Sequence, residues 1–150
     1  MPTRKILKFP SSRLRLKSAV VEDLQEALPL AHDLRDTLVA NLGIGLAASQ
    51  VGINKRIFVV DSKHLPSLKA SENIPGVCVL VNPELEFLSE EKFTWNEACL
   101  SVSDFQAPVS RYSRIRLCYV DLNGMPCEHE LQHDEAGIVQ HEADHLEGKL

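Results

Sequence analysis

The segment SRIRLCYVDLNGMPCEHEL, residues 113–131, constrains the fold most, because its pattern is that of two strands joined by a turn. Polar and apolar residues alternate along much of it, and Asn123-Gly124 lies near its middle. An Asn-Gly pair between alternating segments is the strongest short-range signal for a β-hairpin. The chain is therefore expected to contain antiparallel strands near its carboxyl end.

Two helices are predicted, one on each side of the strand-rich region. Apolar residues at helical spacing predict the first helix over residues 21–41, where Pro29 either kinks the helix or marks its effective start. The second helix is predicted from about Asp134 to Glu147.

The region between the helices is expected to be mostly strand. The apolar segment 55–61 predicts a buried strand, and 77–88 predicts a second strand that is broken or turned at Asn82-Pro83. Residues 62–76 are typical of a surface loop, and SVSDFQAP, residues 101–108, is rich in turn-forming residues. Because strands are grouped instead of alternating with helices, we predict an α+β fold with a mainly antiparallel sheet.

Length and composition narrow the class of protein. A chain of 150 residues is expected to form a single domain over residues 1–150. The formal net charge of −5 argues against nucleic acid as a direct partner. No apolar run approaches the roughly 18 residues of a membrane span, and the first residues lack the apolar region of a secretory signal. The four cysteines form no C-x-x-C pair, so a reducing cytosol is the expected compartment.

The segment HEADH, residues 141–145, fits the pattern H-E-x-x-H. On a helix, His141 and His145 point the same way, so both imidazoles can bind one tetrahedral metal ion. Glu142 lies near enough to act as a general base on water activated by that ion. A surface helix that carries two histidines by chance is an equally compatible interpretation.

A catalytic metal site needs a third protein ligand, and it has to come from upstream. Only five residues follow His145, and Glu147 is too close to swing back. The best candidate is Cys99 in the stretch NEACLS, since a thiolate would favour Fe(II), Ni(II) or Zn(II) over Mg or Ca. Taken alone, a cysteine such as Cys99 is more commonly an inert buried thiol than a metal ligand.

A third stretch of interest is GIGLAASQVG, residues 43–52. Gly43 and Gly45 permit tight turns and close approach of the backbone to a ligand. Gln50 supplies an uncharged amide donor of the kind that stabilises an oxyanion. A dinucleotide-binding loop is excluded because the glycines follow a helix, but a purely structural glycine-rich connector stays open.

Taken together, three motifs in this order resemble those of the peptide deformylase family. They are GIGLAASQ at 43–50, EACLS at 97–101 and QHEADH at 140–145, and ILKFPSSRLR at 6–15 and LVNPEL at 80–85 are also similar. The resemblance spans nearly the whole chain. It implies an α+β fold in which mainly antiparallel sheets surround a central C-terminal helix that carries HEADH, with the N-terminal helix packed outside.

The resemblance implies an enzyme that removes the formyl group from the N-terminal formyl-methionine of new polypeptides and releases formate. One divalent metal per chain is implied, usually Fe(II), with Zn(II), Ni(II) or Co(II) able to occupy the site. The implied metal ligands are Cys99, His141 and His145. Glu142 would be the general base and acid, and Gln50 and the backbone N–H of Leu100 would be the oxyanion donors.

The implied substrate is an extended nascent peptide. Ile44 and Gly45 are expected to pair with its backbone as an added strand. The apolar pocket for methionine is expected to be formed by Ile138 and the 44–46 region that ends at Leu46, and Glu97 is also placed among the substrate-binding residues. We further expect a monomer with transient ribosome contact and no membrane association. It is expected to act in the bacterial cytoplasm and to be encoded by a bacterium or by a virus of bacteria.

The chain departs from the family pattern at several positions. Ala98 replaces the usual glycine, and Ser49 replaces the common proline, which is expected to loosen the loop before Gln50. The polar segment 133–137 suggests a wetter methionine pocket, and Gly137 is expected to weaken its helix by up to about 1 kcal/mol. The Ala98 and pocket departures keep a catalytically impaired metal-binding homologue open. An H-E-x-x-H metallopeptidase that uses the same His141, Glu142 and His145 is the other alternative.

Overall fold

The computed structural model describes residues 3–8 and 11–149, so Phe9 and Pro10 of the amino-terminal motif lie outside the described residues. Within them are two α-helices, α1 (Leu24–Ala40) and α2 (His133–Leu146). The strands are β1 (Gly45–Ala47), β2 (Ile57–Asp61), β3 (Val77–Phe87), β4 (Lys92–Cys99), β5 (Val102–Tyr112), β6 (Arg114–Val120) and β7 (Pro126–Gln132). Short 3₁₀ helices are Ser12–Arg15, Ala48–Val51 and Ser62–His64.

Five of these strands form one antiparallel sheet in the order β1-β2-β3-β6-β7. The predicted hairpin is confirmed as β6 and β7, and Gly124 in its loop has a φ of 81° that favours glycine. Strands β4 and β5 pair only with each other, as a separate two-stranded sheet. The predicted α+β class with mainly antiparallel sheets is therefore confirmed.

The main sheet is covered on both faces, which explains the uninterrupted apolar sequence of β2. Ile57 and Val59 belong to a core cluster with α1, whereas Phe58 and Val60 belong to a cluster with α2. Successive side chains of a strand point to opposite faces, so a strand between two helices needs apolar residues at every position. Helix α2 thus lies at the centre of the molecule, as predicted, and α1 packs outside the sheet.

The start of α1 and the interruption of β3 differ in detail from the sequence-based expectations. Asp23 caps α1 by accepting a hydrogen bond from Gln25 N at 2.9 Å, and the helix runs through Pro29, so a start near the proline is wrong. In β3 the register shifts between Val81 and Glu84. This shift is a β-bulge within one continuous strand, because Pro83 has no N–H to contribute to the ladder.

The β4–β5 hairpin was not predicted from the sequence. The turn-forming residues of 101–108 lie mostly in β5, so the turn-rich interpretation of this stretch is wrong. The hairpin is held on α2 by the buried Gln140, whose Oε1 accepts from Tyr112 N at 3.0 Å and whose Nε2 donates to Tyr112 O at 2.8 Å. One side-chain amide therefore pairs with a strand residue as a neighbouring strand would. No helix in the described ranges is long and apolar enough to span a membrane.

Candidate metal centre and active site

The second helix and the tip of the β4–β5 hairpin bring three candidate metal ligands together. The Nε2 atoms of His141 and His145 lie 3.3 Å apart, and Cys99 Sγ lies 3.3 Å from His145 Nε2. All three donor atoms lie within 4.8 Å of one another. Metal–nitrogen bonds of about 2.0–2.1 Å and metal–sulfur bonds of about 2.3 Å in a tetrahedron place ligand atoms roughly 3.3–3.6 Å apart. The set therefore fits one four-coordinate metal ion with an open position.

The charge balance of the site also suits a cation. His141 is half-buried, and its desolvation lowers its pKa, but hydrogen bonds to Cys99 and Glu97 outweigh the desolvation and raise the pKa to about 10. Burial and the neighbouring His141 lower the pKa of His145 to about 3, so its imidazole is neutral. The surroundings thus favour a positive charge at this position, and the neutral imidazole of His145 is the form that binds metal.

Glu97 and Arg111 fix the orientation of His141. The Nδ1 atom of His141 lies 2.8 Å from Glu97 Oε1, and Arg111 donates to the same carboxylate from Nε at 2.9 Å and Nη2 at 2.7 Å. Burial would raise the pKa of Glu97, but Arg111 and His141 lower it to about 2. An ionised Glu97 places the His141 proton on Nδ1 and leaves Nε2 free to bind a metal ion. Arg111 also pairs with Asp144 on α2.

Glu97 is therefore not positioned as a substrate-binding residue, in contrast to the expectation from the sequence. It lines the cavity, but its carboxylate is already engaged by Arg111, by His141 and by Trp95 Nε1, which donates at 2.7 Å. Arg111 was missed as a functional candidate because it follows the EACLS motif by ten residues and no local sequence pattern marks it.

Replacing Arg111 with methionine is expected to lower metal affinity or kcat/KM by about 10–100-fold, because the carboxylate that orients His141 loses its partner. Methionine keeps much of the length of the side chain but no donor. Metal affinity can be measured by competition with a chelator. The matched control is Arg116→Met, since Arg116 is an arginine on β6 that pairs with Glu86 away from the site. Equal metal affinities of Arg111→Met and the unaltered protein would contradict this role.

Glu142 lies beside the candidate ligands in a position that only a glycine neighbour allows. Its side chain is 4% exposed, and its Oε2 lies 4.0 Å from His141 Nε2. A Cβ atom at Gly45 would lie 2.7 Å from Glu142 Oε2, so β1 can approach the carboxylate only because Gly45 has no side chain. Burial raises the pKa of Glu142 to about 7, a value suited to both taking up and releasing a proton near neutral pH.

Gln50 faces the same space with its amide oriented by the backbone. Its Oε1 accepts from Ala47 N at 2.9 Å, which turns Nε2 toward Ser101 Oγ at 3.1 Å and Cys99 Sγ at 3.5 Å. Leu100 follows the cysteine in a two-residue turn and also lines the cavity. The structure therefore places the Gln50 amide beside Cys99, and Leu100 lies in the wall of the same cavity.

A cavity of about 290 Å³ opens next to Glu142 and is walled mostly by apolar side chains. Ile44, Gly45 and Ile138 line it, as expected, together with Trp95 and Leu42. Ala98 also lines the cavity, and its methyl group does not take the place of any candidate metal ligand.

Leu46 does not line this cavity, which corrects the expectation that it contributes to the methionine pocket. Its side chain is fully buried in the cluster with α1, because alternation along β1 turns it away from Gly45. The polar segment 133–137 before the histidines also contributes no residue to the cavity wall. Glu135 instead accepts hydrogen bonds from Ser67 N at 3.0 Å and Ser67 Oγ at 2.7 Å, so the structure does not support a wetter methionine pocket.

Two of the departures from the family pattern have structural roles. Ser49 Oγ donates to His145 O at 3.2 Å and so ties the loop before Gln50 to α2, in contrast to the expected loosening. Gly137 lies under the rings of the hairpin, where a Cβ atom would be 2.4 Å from Trp95 and 3.0 Å from Phe93. Gly137 is therefore needed for the hairpin to approach the helix.

An alanine at Gly137 is expected to lower the free energy of unfolding by about 1–3 kcal/mol, because the added methyl group overpacks the contact with Trp95. In a helix without such contacts, replacing glycine with alanine would raise the free energy of unfolding by roughly 0.5–1 kcal/mol. Urea unfolding followed by circular dichroism shows whether the free energy of unfolding falls or rises. The control is Asp134→Ala, at an exposed position of the same helix, which should change stability by less than about 0.5 kcal/mol. A stabilised Gly137→Ala variant would show that the hairpin does not need this close approach.

The fold and this site define a class: an α+β hydrolase with a helix-borne His-Glu-x-x-His segment and an upstream cysteine. Residues 3–150 match the family described as polypeptide deformylase. The peptide deformylase of Bartonella tribocorum is 39% identical over 151 residues, which cover 100% of this chain and 83% of that protein. The chain belongs to the peptide deformylase family.

Solved structures agree with this assignment. The crystal structure of peptide deformylase from Thermotoga maritima superposes with a TM-score of 0.88 at 31% identity, covering 100% of this chain and 95% of that one. A probable peptide deformylase from Synechococcus phage S-SSM7 gives a TM-score of 0.85 at 39% identity, covering 99% and 97%. The enzyme from Ehrlichia chaffeensis in complex with actinonin gives 0.86 at 36% identity, covering 100% and 87%.

Proposed function

We propose that this chain hydrolyses the N-formyl group from the N-terminal formyl-methionine of new polypeptides and releases formate. The observation that carries the proposal is the convergence of Cys99, His141 and His145 beside the buried carboxylate of Glu142, at the end of an apolar cavity. Membership of the deformylase family supports the same reaction.

The chemistry follows from the positions of the side chains. When bound by the three ligands, a divalent metal ion supplies Lewis acidity and makes water acidic near neutral pH. Glu142 takes a proton from the attacking water and passes it to the amine that leaves. The Gln50 amide, held by Ala47 N, and the Leu100 N–H donate to the oxyanion that develops on the formyl group. A preorganised donor of this kind contributes roughly 3 kcal/mol of transition-state stabilisation.

Strand β1 provides the surface on which an extended peptide can bind. It lies at the edge of the main sheet, with β2 on one side, and its other edge faces the cavity. A peptide added there would be held through its main chain at Ile44 and Gly45, which gives affinity with little side-chain selectivity. Ile138 and the neighbouring apolar wall would receive the methionine side chain.

The alternatives are less well supported. A metallopeptidase does not need the amide of Gln50, which here is oriented toward the ligand cysteine. A catalytically impaired homologue would be expected to lack part of the site. Here the cavity is lined by residues of the proposed site, namely Gln50, Cys99, Leu100, His141 and Glu142, and His145 lies beside Cys99 and His141.

For the metal, we propose Fe(II), with Zn(II), Ni(II) or Co(II) able to replace it, since the thiolate of Cys99 favours soft or borderline ions. We propose that the protein works as a monomer, because all three ligands come from one chain. The expected setting is the bacterial cytoplasm, with transient contact to the ribosome that supplies formylated nascent chains. The bacterial relatives and the phage homologue support this setting.

The proposal is tested by formate release from formyl-Met-Ala-Ser with protein purified anaerobically and loaded with one equivalent of metal. Two parallel reactions use acetyl-Met-Ala-Ser and a longer unformylated peptide. Formate from the formylated peptide alone is the expected result. Cleavage inside the unformylated peptide would favour the metallopeptidase, and a metal-loaded protein that releases no formate would favour the impaired homologue.

A further inference from the structure

The amino-terminal segment, residues 3–8, contacts both of the residues that carry the proposed oxyanion donors. Leu7 N donates to Gln50 O at 2.6 Å, and Lys8 Nζ donates to Leu100 O at 2.6 Å. Lys8 and Leu100 are 92 positions apart in the sequence, so only the fold brings this pair together. Two consecutive residues therefore join the amino-terminal segment to both donor-bearing residues.

The segment that carries Lys8 is itself held on the protein. Ile6 is 6% exposed and belongs to the core cluster with α1. Arg4 N donates to Thr37 Oγ1 on α1 at 2.8 Å, and Arg4 Nε donates to Asp33 Oδ2 at 2.9 Å. Since the backbone before Lys8 is fixed by these contacts, its exposed side chain has a defined origin from which to reach the β4–β5 hairpin.

Leu100 lies where the β4–β5 hairpin does little to orient its peptide groups. It is in the turn between the two strands, and their register shifts between Ala98 and Cys99. A regular ladder fixes the direction of each peptide group through cross-strand hydrogen bonds, and this ladder is interrupted just before the turn. The Leu100 N–H can stabilise an oxyanion well only if its direction is set before the substrate binds. A contact from outside the hairpin is therefore needed to set it.

We propose that Lys8 is a positioning residue for deformylation: its ammonium group holds the Leu100 carbonyl and thereby directs the Leu100 N–H toward the formyl oxygen. The proposal rests on the proposed deformylase function. The N–H and the carbonyl of one residue flank the same Cα atom, so a fixed carbonyl restricts rotation about the two bonds between them. On the other side of this N–H is Cys99, a proposed metal ligand. A hydrogen bond from an ammonium group is roughly twice as strong as a neutral one, which suits Lys8 to this role.

Replacing Lys8 with methionine is expected to affect catalysis more than stability. Holding a lysine side chain costs rotamer entropy, and at the surface its hydrogen bond competes with water, so thermal unfolding and metal content should be unchanged. With formyl-Met-Ala-Ser and metal-loaded protein, kcat should fall about five- to tenfold, less than the roughly 10²–10³-fold that follows complete loss of an oxyanion donor. KM should change by less than about twofold, because the donor acts on the transition state.

Two further variants separate positioning of Leu100 from a general loss of charge. Lys8→Arg keeps a cationic donor and should restore kcat to within about twofold of the unaltered protein. Lys5→Met is the matched control, because Lys5 is an exposed lysine of the same segment, and it should leave kcat unchanged.

The proposal is overturned if Lys8→Met keeps the kcat of the unaltered protein, or if its defect lies in KM alone. It is also overturned if Lys5→Met is as slow as Lys8→Met, or if Lys8→Arg gives no recovery. Failure of the proposed function itself would look different, since the unaltered protein would then release no formate.

Discussion

Replacing Glu142 with glutamine is expected to lower kcat for formate release by about 10²–10⁴-fold, because an amide of the same shape cannot carry the proton between water and the leaving amine. The fold should be unchanged. The buried carboxylate is not among the three ligand atoms, so metal content should also remain at one per chain. Formate release, elemental analysis and thermal unfolding measured on the same preparation separate these effects.

The control for Glu142→Gln is Glu135→Gln, the same substitution two turns earlier on α2, where the carboxylate accepts hydrogen bonds from Ser67 and does not line the cavity. This variant should retain full activity. If Glu142→Gln released formate near the rate of the unaltered protein, Glu142 would not have its proposed role and another group would have to carry the proton.

Replacing Cys99 with alanine removes a direct ligand and is therefore expected to reduce metal affinity strongly. The reduction should exceed the roughly 10–100-fold that is lost when only a supporting hydrogen bond is removed. The remaining pair, His141 and His145, sits on one helix and offers too few ligands for a catalytic site. Metal content after dialysis against a weak chelator, measured by elemental analysis, is the readout. Activity should fall in parallel with occupancy.

The control for Cys99→Ala is Cys118→Ala, because Cys118 is a free cysteine exposed on the main sheet, far in sequence from the ligand set. Its removal should leave metal content unchanged. If Cys99→Ala retained full occupancy after the same dialysis, the third ligand would have to come from elsewhere in the chain.

The features that could be predicted from the sequence are those with a local or repeated pattern. The β6–β7 hairpin follows from alternation around Asn123-Gly124, and the helix with His141 and His145 follows from spacing on one face. Cys99 was first considered because the third ligand had to come from upstream. The three ordered motifs then supported it, because a motif match carries information that spacing within a single segment does not. The structure brings these side chains together as expected.

The features that were missed depend on contacts between distant segments. Nothing near Arg111 in the sequence indicates that it meets Glu97 and Asp144, which lie 14 residues before it and 33 residues after it. The role of Gly137 depends in the same way on Trp95 arriving from another strand. Strand β1 is only three residues long, too short for an alternating pattern to be recognised, and for that reason Leu46 was assigned to the wrong side.

The short length of β1 has a consequence for the behaviour of the protein in solution. An unpaired strand edge is a template on which other chains can add, and long flat edges promote aggregation. Here the strand ends at Ala47, with Leu46 and Ala47 fully buried, and the chain then turns into the 3₁₀ helix that begins at Ala48. Three residues offer enough main-chain hydrogen bonds to hold the end of one peptide, but too few to nucleate a sheet between copies. An edge this short can therefore serve one extended peptide, as proposed, with little risk of edge-to-edge pairing between copies of the protein.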